Sequence, residues 1–415
     1  MKYVILHADG LTDMPRPELD GRTPLQAAAT PNLDRIAQCG EFGQIVVPNE
    51  GHQSGSEMTG MALLGYDPRK YYTGPAPLEA ASLGVSVGEH DVVFRCTMVT
   101  FGGDSPSNGL NRDFDVKKLG PHVVMEDATA GSIETEQARE LIDVMNEQLG
   151  SETIQFYPGS GHRHLMVWVG GKSRSVCADP QQVVGRAVGE YLPAGDGADT
   201  LRKLMEASLV ILRDHPVNDE RRAEGLNPAN CFWLWGQGRA VEWPSIAERY
   251  SLTGAVIAAS EAHQGIGICA GLNVVDLSAE QDTHASPYGA YPVSLERELH
   301  RRDVIYIHAG LSDDVRHHRD VKHKVEAIER FDRELVGPLL RIVENREAFR
   351  LVVACDPGPS VGREQASGPL LYALCEGPLH VRTAGKRFNE ADAVSDGAPA
   401  RDATKLTAKF LSRGA

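Results

Sequence analysis

Four short apolar runs constrain this chain more than any other feature: YVILHA (3–8), GAVIAAS (254–260), DVIYIHA (303–309) and RLVVACD (350–356). Each is rich in β-branched residues, nearly continuous in hydrophobicity, and followed by polar or glycine-rich sequence. A strand with one wet face alternates apolar and polar residues, so a run without alternation needs cover on both faces. In parallel sheets the crossover helices give that cover, and the intervening sequence supplies them. HKVEAIERFDRELVGPLLRIVEN (323–345) has apolar residues at 325, 328, 331 and 335, close to the helical period. In TPNLDRIAQCG, Thr30 stands where an N-cap belongs, Pro31 suits the first turn and Gly40 the stop. The pattern predicts an α/β fold with a doubly wound, mainly parallel sheet.

The middle of the chain follows another pattern. DVVFRCTMVTF (91–101) and the pair TIQFYPG and HRHLMVWVGG read as antiparallel strands, the pair joined through Gly159-Ser160-Gly161. Apolar residues at 138, 141, 142, 145 and 149 give Thr135 to Leu149 one apolar side, a helix signature. These segments predict a smaller α+β module over 90–215, inserted into a core built from 1–89 and 216–415.

Charge narrows the partners. Lys plus Arg number 42 against 57 Asp plus Glu, a formal net charge of −15. Phosphate backbones and anionic lipid select basic surfaces, so nucleic acid and membrane are not expected partners. No apolar run approaches the roughly 18–20 residues that span a bilayer. The N-terminal MKYVILHADG has too short an apolar stretch for a signal peptide. Seven cysteines without a CxxC pair read as reduced thiols, and a cytoplasmic location is expected.

The acidic residues are informative for where they fall. YVILHA runs into Asp9, DVIYIHAGLS into Asp313 and Asp314, and RLVVAC into Asp356. Open parallel sheets bind ligands outside the carboxyl ends of their strands. Any one such Asp is an ordinary turn or cap residue. Three together, with His317 four residues past Asp313, point to a divalent-metal site for Mn²⁺ or Mg²⁺, with Zn²⁺ possible. Gly55-Ser56 precedes a probable helix, so Ser56 would sit where the dipole favours an anion. As a lone feature it is a helix cap; beside a metal it is an activated nucleophile.

With these pieces in place, the chain resembles a known family. HADGLTDMP (7–15), GRTPLQAAATPNLDRIAQCG (21–40), GSEMTGMALLGYDP (55–68), YYTG (71–74), VVFRC (92–96), HRHLMVW (162–168), HPVN (215–218), GLNPAN (225–230) and DDVRH followed by KVEAIERFD carry the resemblance. It is to the archaeal-type cofactor-independent phosphoglycerate mutases of the alkaline phosphatase superfamily, close to a subgroup of proposed homoserine kinases. The resemblance implies two divalent metals and a small phosphorylated substrate. A serine takes the phosphoryl group of 3-phosphoglycerate and returns it to the 2-position. By position, Ser56 is the nucleophile. Asp9 and Asp356 share one metal with Ser56, Asp313 and His317 hold the other, and Arg163 matches a position for substrate anion. A surface arginine beside a hairpin turn is the ordinary reading of Arg163.

Departures accompany the matches. The family's Asp-His pair reads Asp356-Pro357, and VGREQASGP (361–369) lacks the further metal histidine. Glu57 replaces an aspartate, Pro75 an arginine and Gln264 a lysine; EDATAG (126–131) stands where an arginine is usual. Asp314, His318, His323 and Glu364 are near enough in sequence to act as substitute ligands. The expected function is interconversion of 3- and 2-phosphoglycerate. The alternatives are phosphoryl transfer on another small substrate such as homoserine, although no GxxxxGK[ST] loop is present, and an inactive paralogue kept as a binding module.

Overall fold

The computed structural model describes residues 1–49, 55–103, 118–278, 286–311, 320–357, 368–395 and 397–412. They form two units, 1–72 with 242–415, and 73–241. The larger unit holds an eight-stranded sheet: β1 (Lys2–Thr12), β2 (Glu41–Val46), β3 (Gly254–Ala258), β4 (Asn273–Val274), β5 (Val304–Gly310), β6 (Phe349–Pro357), β7 (Leu370–Glu376) and β8 (Arg401–Asp402). The order is β4-β3-β5-β1-β6-β7-β2-β8, and among the described strands only β7 runs antiparallel to its neighbours. The four apolar runs are the adjacent strands β3, β5, β1 and β6, as the absence of alternation demands.

The principal helices of this unit are α1 (Pro31–Cys39), α2 (Ser56–Leu63), α3 (Glu261–Cys269), α4 (Ala290–Arg301), α5 (Val321–Phe331), α6 (Gly337–Glu344) and α7 (Ala403–Leu411). The two-residue period of the strands divides the cover. Val4, Leu6 and Ala8 of β1, with Ile305 and Ile307 of β5 and Leu351 and Val353 of β6, share one core with α1, α4, α5 and α6. Tyr3, Ile5 and His7 turn to the opposite face. There the Tyr3 ring meets Phe410 of α7 edge-on at 5.6 Å. The Thr407 hydroxyl of α7 donates to the carbonyls of Ala62 and Leu63 at 3.2 and 3.0 Å, holding the far end of α2.

Two local features depart from expectation. The helix over 323–345 is interrupted by a π-helical turn, Asp332–Val336. Pro338 has no N–H for the regular ladder, and the wider turn accommodates it. Thr30 occupies the N-cap of α1 but makes no capping bond with its side chain. The buried Asp332 carboxylate does so instead, accepting from the backbone N–H groups of Asn32 and Leu33 at 3.2 and 2.8 Å. Burial pushes the Asp332 pKa above its ordinary value, although these bonds favour the carboxylate.

The smaller unit is an antiparallel sheet ordered 123–127, 92–103, 163–168, 154–157, with 231–238 also pairing on the long strand 92–103. Helices Thr135–Leu149 and Ala198–Arg213 close its core through Leu141, Met145, Leu201 and Met205 against Phe94, Phe232 and Trp233. The unit is wider than 90–215 because strand 231–238 belongs to its sheet, and Ala76 and Ala80 of a short helix pack on Val93 and Leu165. All seven cysteines are free thiols. No described helix is long and apolar enough to cross a membrane.

Just beyond β1, the Asp13 carboxylate accepts from Lys324 of α5 at 2.8 Å, both side chains fully or almost fully buried. Burial pushes the lysine pKa down against the pull of Asp13. Removing one partner of such a pair strands the other charge, at about 3–5 kcal/mol. Lys324→Met is therefore expected to lower the unfolding free energy in urea by about that amount. A loss under about 1 kcal/mol, the range of an exposed pair, would contradict the role assigned to it.

Candidate active site

The site is written into strand register. His7 of β1 pairs with His308 of β5 and with Ala354 of β6. In-register neighbours on parallel strands share a face, and Asp356, two residues past Ala354, shares it too. Three adjacent strands thus present His7, His308 and Asp356 near their carboxyl ends, all buried. One pleat further, Asp9 lies opposite Gly310.

Helices complete this edge. Ser56 is the first residue of α2, with Gly55 as N-cap. Its Oγ lies 3.4 Å from His263 Nε2 and 3.5 Å from His308 Nε2. His263 belongs to the first turn of α3, where its Nδ1 is 3.2 Å from Ser260 Oγ. The neighbouring Gln264 donates to the Ala258 carbonyl at 2.9 Å, fastening that turn to the end of β3. The His263 and His308 rings stack with centroids 3.4 Å apart and planes 9° from parallel. His7 meets both edge-on at 5.4 and 5.0 Å. One ring nitrogen from each of the three lies within 4.8 Å of the others, at 0, 3 and 7% exposure for His7, His263 and His308.

His7 also bridges two buried groups: Nδ1 to Tyr306 Oη at 3.0 Å and Nε2 to Asp356 Oδ2 at 2.9 Å. Burial works against a charged His7, but Asp356, with Asp9 and Glu57, outweighs it and the pKa is raised. Burial lifts the Tyr306 pKa far above the usual phenol value, so it remains protonated. The other Asp356 oxygen, Oδ1, is buried with no hydrogen-bond partner among the described residues. An orphaned buried carboxylate oxygen is costly unless an ion satisfies it. Asp9, Ser56 and Asp356 are hard oxygen donors at one edge, so this part of the site fits a divalent cation.

Of the sequence-derived residues, Asp9, Ser56 and Asp356 come to this edge. Asp313 and His317 lie outside the described residues, as do Asp314, His318 and Glu364. His323 is exposed on α5, paired with Asp320 at 3.1 Å, and is not one of the three clustered histidines. Arg163 begins a strand of the smaller unit, in register with Thr97, and is exposed. Beside it His162 and His164 are kept neutral, their pKa values pushed down to about 4 and about 3, chiefly by burial. The sequence reading passed over His7, His263 and His308. Its available signal was a histidine inside an otherwise apolar strand, twice, each followed by alanine.

Comparison with known proteins agrees with this architecture. A family profile described as 2,3-bisphosphoglycerate-independent phosphoglycerate mutase matches residues 37–218. The chain is 37% identical over 414 residues to a Geobacter sulfurreducens protein named probable 2,3-bisphosphoglycerate-independent phosphoglycerate mutase, covering 100% of each. It is 38% identical over 375 residues to a mutase of the same description from Methanothermobacter thermautotrophicus, covering 89% of this chain and 87% of that one. Among solved structures, a Pyrococcus horikoshii protein aligns at TM-score 0.74 and 23% identity over 100% of this chain and 98% of its own, a likeness of fold. The cofactor-independent phosphoglycerate mutase of Thermoplasma acidophilum aligns at 0.58 and 25% identity, over 99% and 100%.

The floor of the site depends on a missing side chain. A Cβ on Gly60 of α2 would stand 2.5 Å from Tyr306 Oη and 3.2 Å from both His263 Cδ2 and Ile266 Cδ1. The tyrosine is buried and bonded to His7, so it has little room to yield. Gly60→Ala gains about 1 kcal/mol of helix propensity but forces this contact, and overpacking costs about 1–3 kcal/mol. A lowered melting temperature is expected, and an unchanged or higher one would refute the packing account.

Proposed function

The chain belongs to the 2,3-bisphosphoglycerate-independent phosphoglycerate mutase family, and on that premise we propose that it interconverts 3- and 2-phosphoglycerate through a phosphoserine at Ser56. The observation that carries the reading is the setting of Ser56 Oγ. It lies at the N-terminus of α2, 3.4 and 3.5 Å from two imidazole nitrogens, at the sheet edge that also bears Asp9 and Asp356. A serine hydroxyl is a weak nucleophile in water and needs a neighbour to draw off its proton. The helix N-terminus favours the negative charge that gathers on a phosphoryl group beside it.

In this reading Ser56 Oγ attacks the phosphorus of 3-phosphoglycerate, and the bond to the 3-oxygen breaks as that oxygen gains a proton. After the glycerate turns in the site, its 2-hydroxyl attacks the phosphoserine, loses its proton, and frees Ser56. Asp9, Ser56 and Asp356 would hold one divalent cation, and Asp313 with His317 the second. Such cations, Mn²⁺ or Mg²⁺ by their carboxylate-rich donors, would lower the hydroxyl pKa and draw charge from the transferring group. Arg163 takes the role of a partner for substrate anion. A small phosphorylated substrate in the cytoplasm, without nucleic acid or membrane, completes the proposal.

The test is conversion of 3-phosphoglycerate followed through enolase, with Mn²⁺ or Mg²⁺ supplied. Ser56→Ala is expected to reduce kcat by about ten-thousand-fold or more, as for loss of a covalent nucleophile. Wild-type protein that converts neither isomer, or a Ser56→Ala variant within tenfold of wild type, would overturn the reading.

A further inference from the structure

We propose that His7, His263 and His308, with Ser56 Oγ as fourth donor, form a tetrahedral site for a zinc-class transition-metal ion. The inference deepens the reading above and rests on it only for the part Ser56 plays. Its three imidazoles lie beside the oxygen donors Asp9 and Asp356 assigned above, and Ser56 Oγ is common to both sets.

Distance is the first argument. Ligand atoms at about 2.0–2.1 Å from a tetrahedral ion stand about 3.3–3.4 Å from one another. Ser56 Oγ is 3.4 Å from His263 Nε2 and 3.5 Å from His308 Nε2, long for hydrogen bonds but near that edge length. The third imidazole lies within the same 4.8 Å cluster. The rings of His263 and His308 stack with centroids 3.4 Å apart and planes 9° from parallel, so the two side chains must turn apart for their lone pairs to meet at one ion.

Preorganisation is the second. The four donors come from β1, β5, the first turn of α3 and the first residue of α2, each fixed by the sheet or by packing on it. Whichever nitrogen of His7 binds, the other keeps a buried partner, Tyr306 or Asp356. Partners of this kind orient metal-bound imidazoles and raise their basicity. Burial is the third. The three imidazoles are at 0, 3 and 7% exposure, so bulk water does not compete for their donor atoms. Neutral imidazole is a borderline-soft donor, so Zn²⁺ or Co²⁺ suits the set and Mg²⁺ does not.

The experiment adds Co²⁺ to full-length protein stripped of metal with a chelator. Of the Co²⁺ taken up, one equivalent is expected to show the intense visible absorption of a four-coordinate ion, and Zn²⁺ to displace it. His263→Gln and His308→Gln should each weaken Co²⁺ binding by at least about a hundredfold, and Tyr306→Phe by about tenfold. His323→Ala, on the exposed face of α5, should leave the spectrum unchanged. Absence of the band in wild-type protein, or its survival in a His263→Gln/His308→Gln double variant, would overturn the site. The spectrum is read without substrate. A missing band with mutase turnover intact sinks this inference alone, and a band without turnover sinks the mutase reading alone.

Discussion

Everything at the active edge depends on the register in which β1 lies between β5 and β6. Side chains on a strand alternate faces, so a slip of one residue would send His7 to the apolar side and leave His308 and Asp356 without it. The same slip would drive Val4, Leu6 and Ala8 out of the core they share with α1, α4, α5 and α6. Those apolar positions fix the register because their burial is worth far more than any polar contact at the edge. The chemistry is thus placed by residues that take no part in it.

The price of that placement is a polar patch in the interior. His7, Tyr306 and Asp356 form a continuous buried chain of hydrogen bonds, which satisfies most of what burial would otherwise penalise. Asp356 Oδ1 is left without a partner among the described residues. Such an imbalance marks a place where the fold gives up stability for a ligand. Gly60 belongs to the same arrangement, since α2 reaches the sheet there only because it lacks a side chain.

Much of the architecture was legible in the sequence, for a physical reason. Buried parallel strands and one-sided helices carry periodicities that survive without knowledge of their neighbours, so β1, β3, β5, β6 and the helix Thr135–Leu149 could be read directly. What depends on distant partners could not. Thr30 looked like a cap, yet Asp332, some three hundred residues away, performs the capping. The break at Asp332–Val336 follows from Pro338, whose consequence depends on what the helix packs against. At the site, Asp9, Ser56 and Asp356 were visible as acids and a serine at element ends. The histidines escaped because His7 and His308 sit inside apolar runs, and His263 joins them only when α3 folds back over the sheet.

The grip of α7 on α2 bears on the order in which the site is assembled. Thr407 holds the carbonyls of Ala62 and Leu63, while Arg350 of β6 donates to the Phe410 carbonyl at 2.9 Å and Tyr3 packs on the Phe410 ring. The helix that begins with Ser56 is therefore anchored by residues some 350 positions later in the chain. During synthesis from the N-terminus, β1 and α2 emerge early but gain this anchor only after residues 403–411 have been made. The far end of the serine's helix therefore gains this anchor only after the strands and histidines of the sheet have been made. An incomplete chain, having released most of its sequence, still lacks the brace on its own nucleophile.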